Sequence, residues 1–403
     1  MQPVTPTPQR PRRLEFGIYR DGDNNLDAVQ ENVVAQAAAV TARDSRIACS
    51  VLDTTRLRGN ALESDRFDVV DGRISHARRG SPQEMSSGHT LASFVAHTLD
   101  EAEARGAKET WIDLVDHGGG DGGGLQTSDG RVMPMPEIAR AIAQGVAMHA
   151  QAHPEDADRR VDGVVANQCL MATLGFADAL SHAGVRYLAA SPETMVAPGV
   201  PTNAAEAIAA HAGDPRAMGA ALVGDVMHAR YGFDGVSWGP AAAFDVLDLD
   251  RSKMCAVEAS VKRLDDDIAA SGGDRAAVDA LRDDARAVPG MVRFRGAPPD
   301  MPWHADRPAI ELYDTIARDD RLDAGLRTDA AAAASSVDDL VVAHEESRSF
   351  GPFGGRSYAD AVGPTTHFPV SAAQVDPWAP KISETHNRFF DETDAAAAEG
   401  VIA

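Results

Sequence analysis

Three short, mostly apolar runs, 110–115, 161–166 and 185–190, alternate with segments whose apolar residues recur at helical spacing, 90–104, 136–150 and a stretch ending near His182. Runs of this length with few charges are what strands buried on both faces look like. Strands alternating with helices are read as crossover units, in which each helix returns the chain to begin the next strand in the same direction. The pattern therefore predicts an α/β fold, a mostly parallel sheet with helices on both faces. Residues 14–19 and 46–52 add two strands, joined by a helix to about residue 42 in which Leu26, Val29, Val33, Ala37 and Val40 recur. Residues 67–70 and 74–77 flank Asp71-Gly72, a two-residue hairpin turn.

Composition narrows the partners. The 403 residues hold 61 Asp and Glu against 38 Lys and Arg, a formal charge of −23. Affinity for nucleic acid or an anionic membrane comes largely from basic side chains meeting phosphates, so neither is expected as a partner. Cys49, Cys169 and Cys255 are too few for a disulfide framework. Residues 1–13 read as a disordered tail without the apolar stretch of a signal peptide, and no window is long and apolar enough to span a membrane. The cytoplasm is the default location. Residues 14–240 read as the catalytic core and 241–403 as a C-terminal region that completes or packs on it. Within that region helices are expected at 251–270, 275–287 and 309–317, a Pro-rich loop at 296–308 and a flexible Gly-rich stretch at 347–357.

Ligands of parallel sheets sit beyond the carboxyl ends of the strands, which directs attention to the loops after Val115 and Ala166. The first is Asp116-His117-Gly118-Gly119-Gly120. Histidine is suited to proton transfer near neutral pH, and the glycines let backbone N–H groups face an oxyanion; alone, the segment is equally a glycine turn with an incidental histidine. The second is Asn167-Gln168-Cys169-Leu170-Met171-Ala172, read as opening a helix whose dipole favours the Cys169 thiolate. Free cysteines are more often buried hydrophobes, but Cys169 follows His117 by roughly 50 residues, the His-first spacing of caspases.

Together with Tyr19-Arg-Asp-Gly-Asp-Asn-Asn-Leu26, these segments resemble the clostripain family of cysteine peptidases. Ala190-Ser191-Pro192-Glu193, Ala243–Leu249 and Gly363–Pro369 extend the resemblance over most of the chain. It implies a caspase-like α/β/α sandwich with a mostly parallel central sheet and C-terminal additions. It also implies a cysteine endopeptidase in which Cys169 is the nucleophile, His117 the general base and acid, and the N–H groups of Gly118 and Cys169 the oxyanion hole, acting on a protein or peptide. The family's preference for Arg or Lys at P1 uses acidic residues; here the residue two before the cysteine is neutral Asn167, Gly175 stands where a Glu often occurs, and the usual Ser-Glu pair is spread over Ser191 and Glu193. Asn167, Ser191 and Glu193 are thus the expected substrate-binding residues, and Asn167→Asp is expected to increase turnover of Arg-P1 peptides. Many members cut themselves between His and Cys, where Arg131 is a candidate site.

Two other readings stay open. One is a catalytically weak relative that binds or regulates. The other is a serine hydrolase using Ser237, since Gly235-Val-Ser237-Trp-Gly239 matches a nucleophile elbow. Gly118–Gly123 formally matches a dinucleotide fingerprint but lacks the helix that should follow. Asp21-Gly-Asp23-Asn24-Asn25 starts like a calcium loop yet has Leu26 at the sixth position, so a capped turn is expected instead. Calcium is left open as a cofactor; no cofactor is required, no His/Cys cluster has zinc-ligand spacing, and no metal site is expected. The sequence is silent on oligomeric state.

Overall fold

The computed structural model describes residues 13–30, 32–56, 61–233, 236–239, 242–270, 275–288, 305–347, 362–370 and 374. In chain order its elements are β1 (Leu14–Asp21), α1 (Asp27–Gln30), α2 (Val33–Arg43), β2 (Ile47–Arg56), β3 (Leu62–Val70), β4 (Arg73–Gly80), α3 (Gly88–Arg105), β5 (Glu109–Val115), α4 (Met135–Ala152), β6 (Gly163–Asn167), α5 (Leu174–His182) and β7 (Tyr187–Ala190). There follow α6 (Ala204–His211), α7 (Pro215–His228), β8 (Tyr231–Phe233), β9 (Val236–Trp238), β10 (Ala243–Asp248), α8 (Arg251–Ala270), α9 (Arg275–Ala287), β11 (Asp306–Pro308), α10 (Ala309–Arg318), α11 (Ala324–Asp338), β12 (Val341–Glu346) and β13 (Thr365–His367).

The central sheet has nine strands in the order β12-β10-β7-β6-β5-β1-β2-β3-β4. Its middle, β7-β6-β5-β1-β2, is parallel throughout, as the alternation of strands and helices requires. Both edges are antiparallel, through the β2-β3-β4 meander and through β7-β10-β12. The expected hairpin turn is present: Asp71 and Gly72 have φ of 51° and 73°, the two positive values that a tight right-twisting hairpin demands. β10 and β12, from the C-terminal region, lie in the same sheet as β1.

Alternate residues of β1 feed two cores. Leu14, Phe16 and Ile18 pack with α2, α6 and α7 on one face, through Val33, Ile208 and Leu222 among others. Tyr19 belongs to the opposite core with α3, α4, α5, α8, α10 and α11, which supply Phe94, Ile142, Phe176, Val257, Leu312 and Leu326. Helices thus cover both faces, which makes an α/β/α sandwich.

The parallel register aligns the strand ends. Arg20 is opposite Val115, and Val115 is opposite Asn167, so the segments after β1, β5, β6 and β7 emerge at one edge of the sheet. The tail at 1–12, residues 296–304 of the expected Pro-rich loop and most of the Gly-rich stretch lie outside the described residues, and the end of that loop is not irregular but forms β11, Asp306–Pro308. Among the described residues no helix is long and apolar enough to cross a membrane.

Candidate active site

The His117 and Cys169 loops pack directly on each other. A Cβ added to Gly118 would fall inside contact distance of the Cys169 carbonyl oxygen, with Gln168 Cβ at 2.8 Å and Met171 Cγ at 3.0 Å. Only a glycine lets the backbone that carries His117 come this close to the backbone that carries Cys169. The Gln168 amide donates to the His117 carbonyl at 3.0 Å and ties the loops a second time. The rest of the glycine run folds back on itself. Gly118 bridges Gly124, and Gly124 bridges Met133. Gly123, at φ 102°, approaches Met133 and Pro134 too closely for any side chain. The run forms only a single 3-10 turn at Gly120–Gly122 and the next α-helix starts at Met135, so the dinucleotide geometry is absent from this segment.

His117 is half-buried, and its Nε2 meets the Asn25 side-chain oxygen at 2.8 Å. Burial without a charge partner moves its pKa below the ordinary histidine value. Asn25 belongs to the turn after β1. Its neighbour Asn24 donates to Asp116 Oδ1 at 2.6 Å and to the Gln126 carbonyl at 2.9 Å, and it accepts the Leu26 N–H at 2.8 Å. Asp23 is paired with Arg56 and accepts from Ser128 at 2.8 Å. The segment is therefore a capped, ion-paired turn that orients the histidine. Asp23 is ion-paired and the Asn24 side-chain oxygen serves as a cap.

Cys169 is partly exposed, whereas Cys49 is buried and Cys255 sits on the exposed face of α8. The Cys169 Sγ accepts the Met195 N–H at 3.2 Å. Its thiol pKa is nonetheless raised, first by burial and further by the Asp116 carboxylate, against the Met195 N–H that lowers it. This corrects the expectation of a dipole-activated thiolate. The helix that follows starts at Leu174, where Thr173 Oγ1 caps the Phe176 N–H at 3.0 Å, and Cys169 lies in the turn before it. A macrodipole acts within its first turn, and Cys169 is beyond that reach.

Among the described contacts no hydrogen bond joins Cys169 to His117, and the N–H groups of Gly118 and Cys169 donate to no carbonyl. Leu170, at φ 67°, donates instead to the Glu193 carbonyl at 3.0 Å, and Ala172 donates to Ser191. The segment after β7 thus braces the cysteine turn along its length.

The expected substrate-binding residues are mostly spent on the backbone. Asn167 is buried; its amide donates to the Val200 carbonyl at 3.1 Å and accepts the Val200 N–H at 2.7 Å. Ser191 donates to the carbonyls of Glu193 and Ala243. Glu193 is buried beside them. Asn167 and Ser191 thus tie the loops after β6 and β7 to neighbouring backbone. Arg131 sits in an exposed turn, paired with Asp129 at 2.8 Å and with Glu84. Ser237 lies in β9, which pairs antiparallel with β8 and leads toward β10. A nucleophile elbow needs a strand entering a helix, so the elbow geometry is not formed. Asn25, Gln168 and Met195 are the contributors that the sequence reading missed. Asn25 lay inside the Asp-Asn-Asn-Leu segment used as an anchor, but nothing local to it shows a bond to a residue 92 positions away.

A groove of about 740 Å³ lies between α2 and α6–α7, lined by Arg43, Glu206 and His228 among others, and includes neither His117 nor Cys169. Chemistry, not cavity size, marks the site.

No protein-family model matches the chain, and no curated protein matches it. Solved structures do. An inactive zymogen C11 protease from Parabacteroides distasonis is 16% identical with a TM-score of 0.59, over 97% of this chain and 99% of that one. A secreted C11 cysteine protease from Bacteroides thetaiotaomicron, "iotapain", is 12% identical with a TM-score of 0.62, over 95% of this chain and 99% of that one. The same description, in complex with an irreversible peptide inhibitor, gives 12% and 0.60 over 96% and 99%. The chain has the C11 protease fold. The C11 likeness spans both the core and the C-terminal region, in line with a single sheet that draws strands from each.

Proposed function

We propose that the chain is a clostripain-family cysteine endopeptidase acting through Cys169 and His117. The observation that carries this reading is the contact of the Gly118 backbone with the Cys169 carbonyl, which seats histidine and cysteine on adjoining loops at the strand ends. In the proposed reaction Cys169 Sγ attacks the scissile carbonyl carbon while His117 accepts the thiol proton. The developing oxyanion meets the uncommitted N–H groups of Gly118 and Cys169. Collapse of the tetrahedral intermediate breaks the C–N bond, His117 returns the proton to the leaving amine, and water hydrolyses the thioester. A preference for Arg or Lys at P1 is proposed on Glu193, the acidic residue retained beside the cysteine turn.

The resting geometry favours a second element of this reading. Burial raises the Cys169 thiol pKa, its Sγ accepts the Met195 N–H, and no described hydrogen bond joins it to His117. We infer a latent form, a state the zymogen neighbour shows a C11 protein can adopt. Cleavage after Arg131, in its exposed turn between the two catalytic residues, would sever the ties to Glu84 and Asp129 from the segment leading to Cys169. A digest of a peptide library by wild type and Cys169→Ala tests the peptidase. Cleavage that disappears in the variant supports it; cleavage that survives assigns the activity elsewhere, and Ser237→Ala then tests the hydrolase. Blocked activation in Arg131→Ala, with the Cys169 dependence kept, supports self-processing.

A further inference from the structure

The C-terminal ends of α3 and α4 lie at the edge of the sheet opposite His117 and Cys169, because each leads into the start of the next parallel strand. There Asp100 and Glu103 of α3 meet His149 and His153, one turn apart at the end of α4. His149 Nδ1 is 2.7 Å from Asp100 Oδ1, and His153 Nε2 is 3.4 Å from the same oxygen. The two rings stack with centroids 4.8 Å apart. These three donor atoms lie within 4.8 Å of one another. Bonds of about 2.0–2.1 Å at tetrahedral angles need donors separated by roughly 3.3 Å, so small side-chain shifts would admit one ion.

The outward nitrogens each face another carboxylate. His153 Nδ1 is 2.6 Å from Glu103 Oε2, and His149 Nε2 is 3.6 Å from Asp156 Oδ2. Arg159 also pairs with Asp156, and Glu155 lies 3.8 Å from His153 Nδ1. His149 is 1% exposed, and its Nε2 is buried with no hydrogen-bond partner. A buried ring nitrogen left unbonded is costly and calls for an explanation. With a cation on Nδ1, the proton moves to Nε2 and is directed at Asp156. That is the arrangement by which carboxylates orient metal-bound histidines.

We propose that Asp100, His149 and His153 bind one divalent cation of the zinc class, with Glu103 and Asp156 orienting the two imidazoles. The cation would clamp the ends of α3 and α4 to residues 155–159, at the side of the sheet away from the peptidase chemistry. In the sequence the two histidines read as His-x-x-x-His, with His149 in the last turn of α4 and His153 at its C-cap.

The test uses the full chain carrying Cys169→Ala, so that the thiol cannot take the metal, freed of metal by chelation and titrated with Co²⁺ alone. The expected result is one Co²⁺ per chain with the strong visible absorption of a tetrahedral nitrogen and oxygen site. Asp100→Asn and His153→Gln should each weaken uptake more than tenfold, and Glu103→Gln about tenfold, with the circular dichroism of the metal-free protein unchanged. Excess Zn²⁺ should raise the melting temperature of the parent and not of His153→Gln. No stoichiometric uptake, or uptake that persists in both Asp100→Asn and His153→Gln, overturns the proposal. If His149→Gln fails to fold, the partly exposed His153 still decides the matter.

Discussion

His117 Nε2 and Asn25 Oδ1 are 2.8 Å apart, which fixes the histidine through its far nitrogen. An amide oxygen only accepts, so Nε2 carries the proton and Nδ1 is left as the basic atom. Asn25→Ala should therefore cost activity without removing any group that touches substrate. The expected fall in kcat is on the order of tenfold to a hundredfold, part of what a positioned base supplies. Asn25→Asp should place a negative charge beside the ring and move the acidic limb of the pH–rate profile upward. Peptide kinetics over pH check both, and an unchanged kcat in Asn25→Ala removes the positioning role.

Gly118→Ala tests the packing of the two loops. The added methyl would meet the Cys169 carbonyl and Gln168 Cβ, and neither can retreat without moving the nucleophile turn. A loss of about 1–3 kcal/mol, as for overpacking elsewhere, is expected with near-complete loss of activity. Gly122→Ala is the control, since nothing lies within 4 Å of its Cβ position. Thermal melts and activity for the pair separate close packing from a general need for glycine in the loop.

Parts of this site are readable in the chain because they are local. The buried strands ending at Val115 and Asn167, and the polar loops after them, follow from periodicity. The hairpin at Asp71-Gly72 follows from turn chemistry. Helices 251–270 and 275–287 matched residue for residue because their apolar spacing is regular. Long-range partnerships are not local. The Sγ bond to Met195 spans 26 positions, and nothing near Met195 marks it. The antiparallel edges depend on which strand finds a vacant sheet edge, so β12 and its pairing with β10 went unread. Asn167 kept the position of a family carboxylate, but its bonds to Val200 show only in three dimensions.

The charge of Asp116, next to His117 in sequence, raises the Cys169 thiol pKa. Asp116→Asn should lower that pKa, so alkylation at neutral pH should be faster and its pH profile displaced to lower pH. Rates of iodoacetamide labelling against pH, with Cys255→Ser to remove the exposed thiol, measure this. An unchanged profile would show that the Asp116 carboxyl carries no charge while the thiol titrates.

Asp21 makes a prediction for stability. Burial raises its pKa to about 7, with Asp23 and Glu84 adding to the shift and the Asp23 N–H opposing it. A carboxyl with a raised folded-state pKa stabilises the fold fully below its unfolded value, near 3.8, and loses that contribution as pH rises toward 7. Asp116, also raised by burial, titrates in the same direction. Denaturant midpoints should fall between pH 4 and 7, and Asp21→Asn should flatten the fall by on the order of a few kcal/mol. A midpoint that rises with pH over this range contradicts the raised value.

Asn167→Asp decides what the position before the nucleophile does. If Asn167 faced a P1 side chain, a carboxylate there would increase turnover of Arg-P1 peptides. In the structure the Asn167 amide donates to the Val200 carbonyl and accepts the Val200 N–H, with the buried Asp113 carboxyl also bonded to it. A carboxylate could not donate, would face the Val200 carbonyl, and would add charge beside Asp113. The expected result is a loss of about 1–3 kcal/mol of stability and no gain on Arg-P1 substrates. Turnover of matched Arg-P1 and Ala-P1 peptides by wild type, Asn167→Asp and Glu193→Gln reads this directly. A selective loss of Arg-P1 cleavage in Glu193→Gln, with both substrates falling together in Asn167→Asp, assigns specificity to Glu193 and the clamp to Asn167. A selective gain in Asn167→Asp returns Asn167 to the substrate pocket.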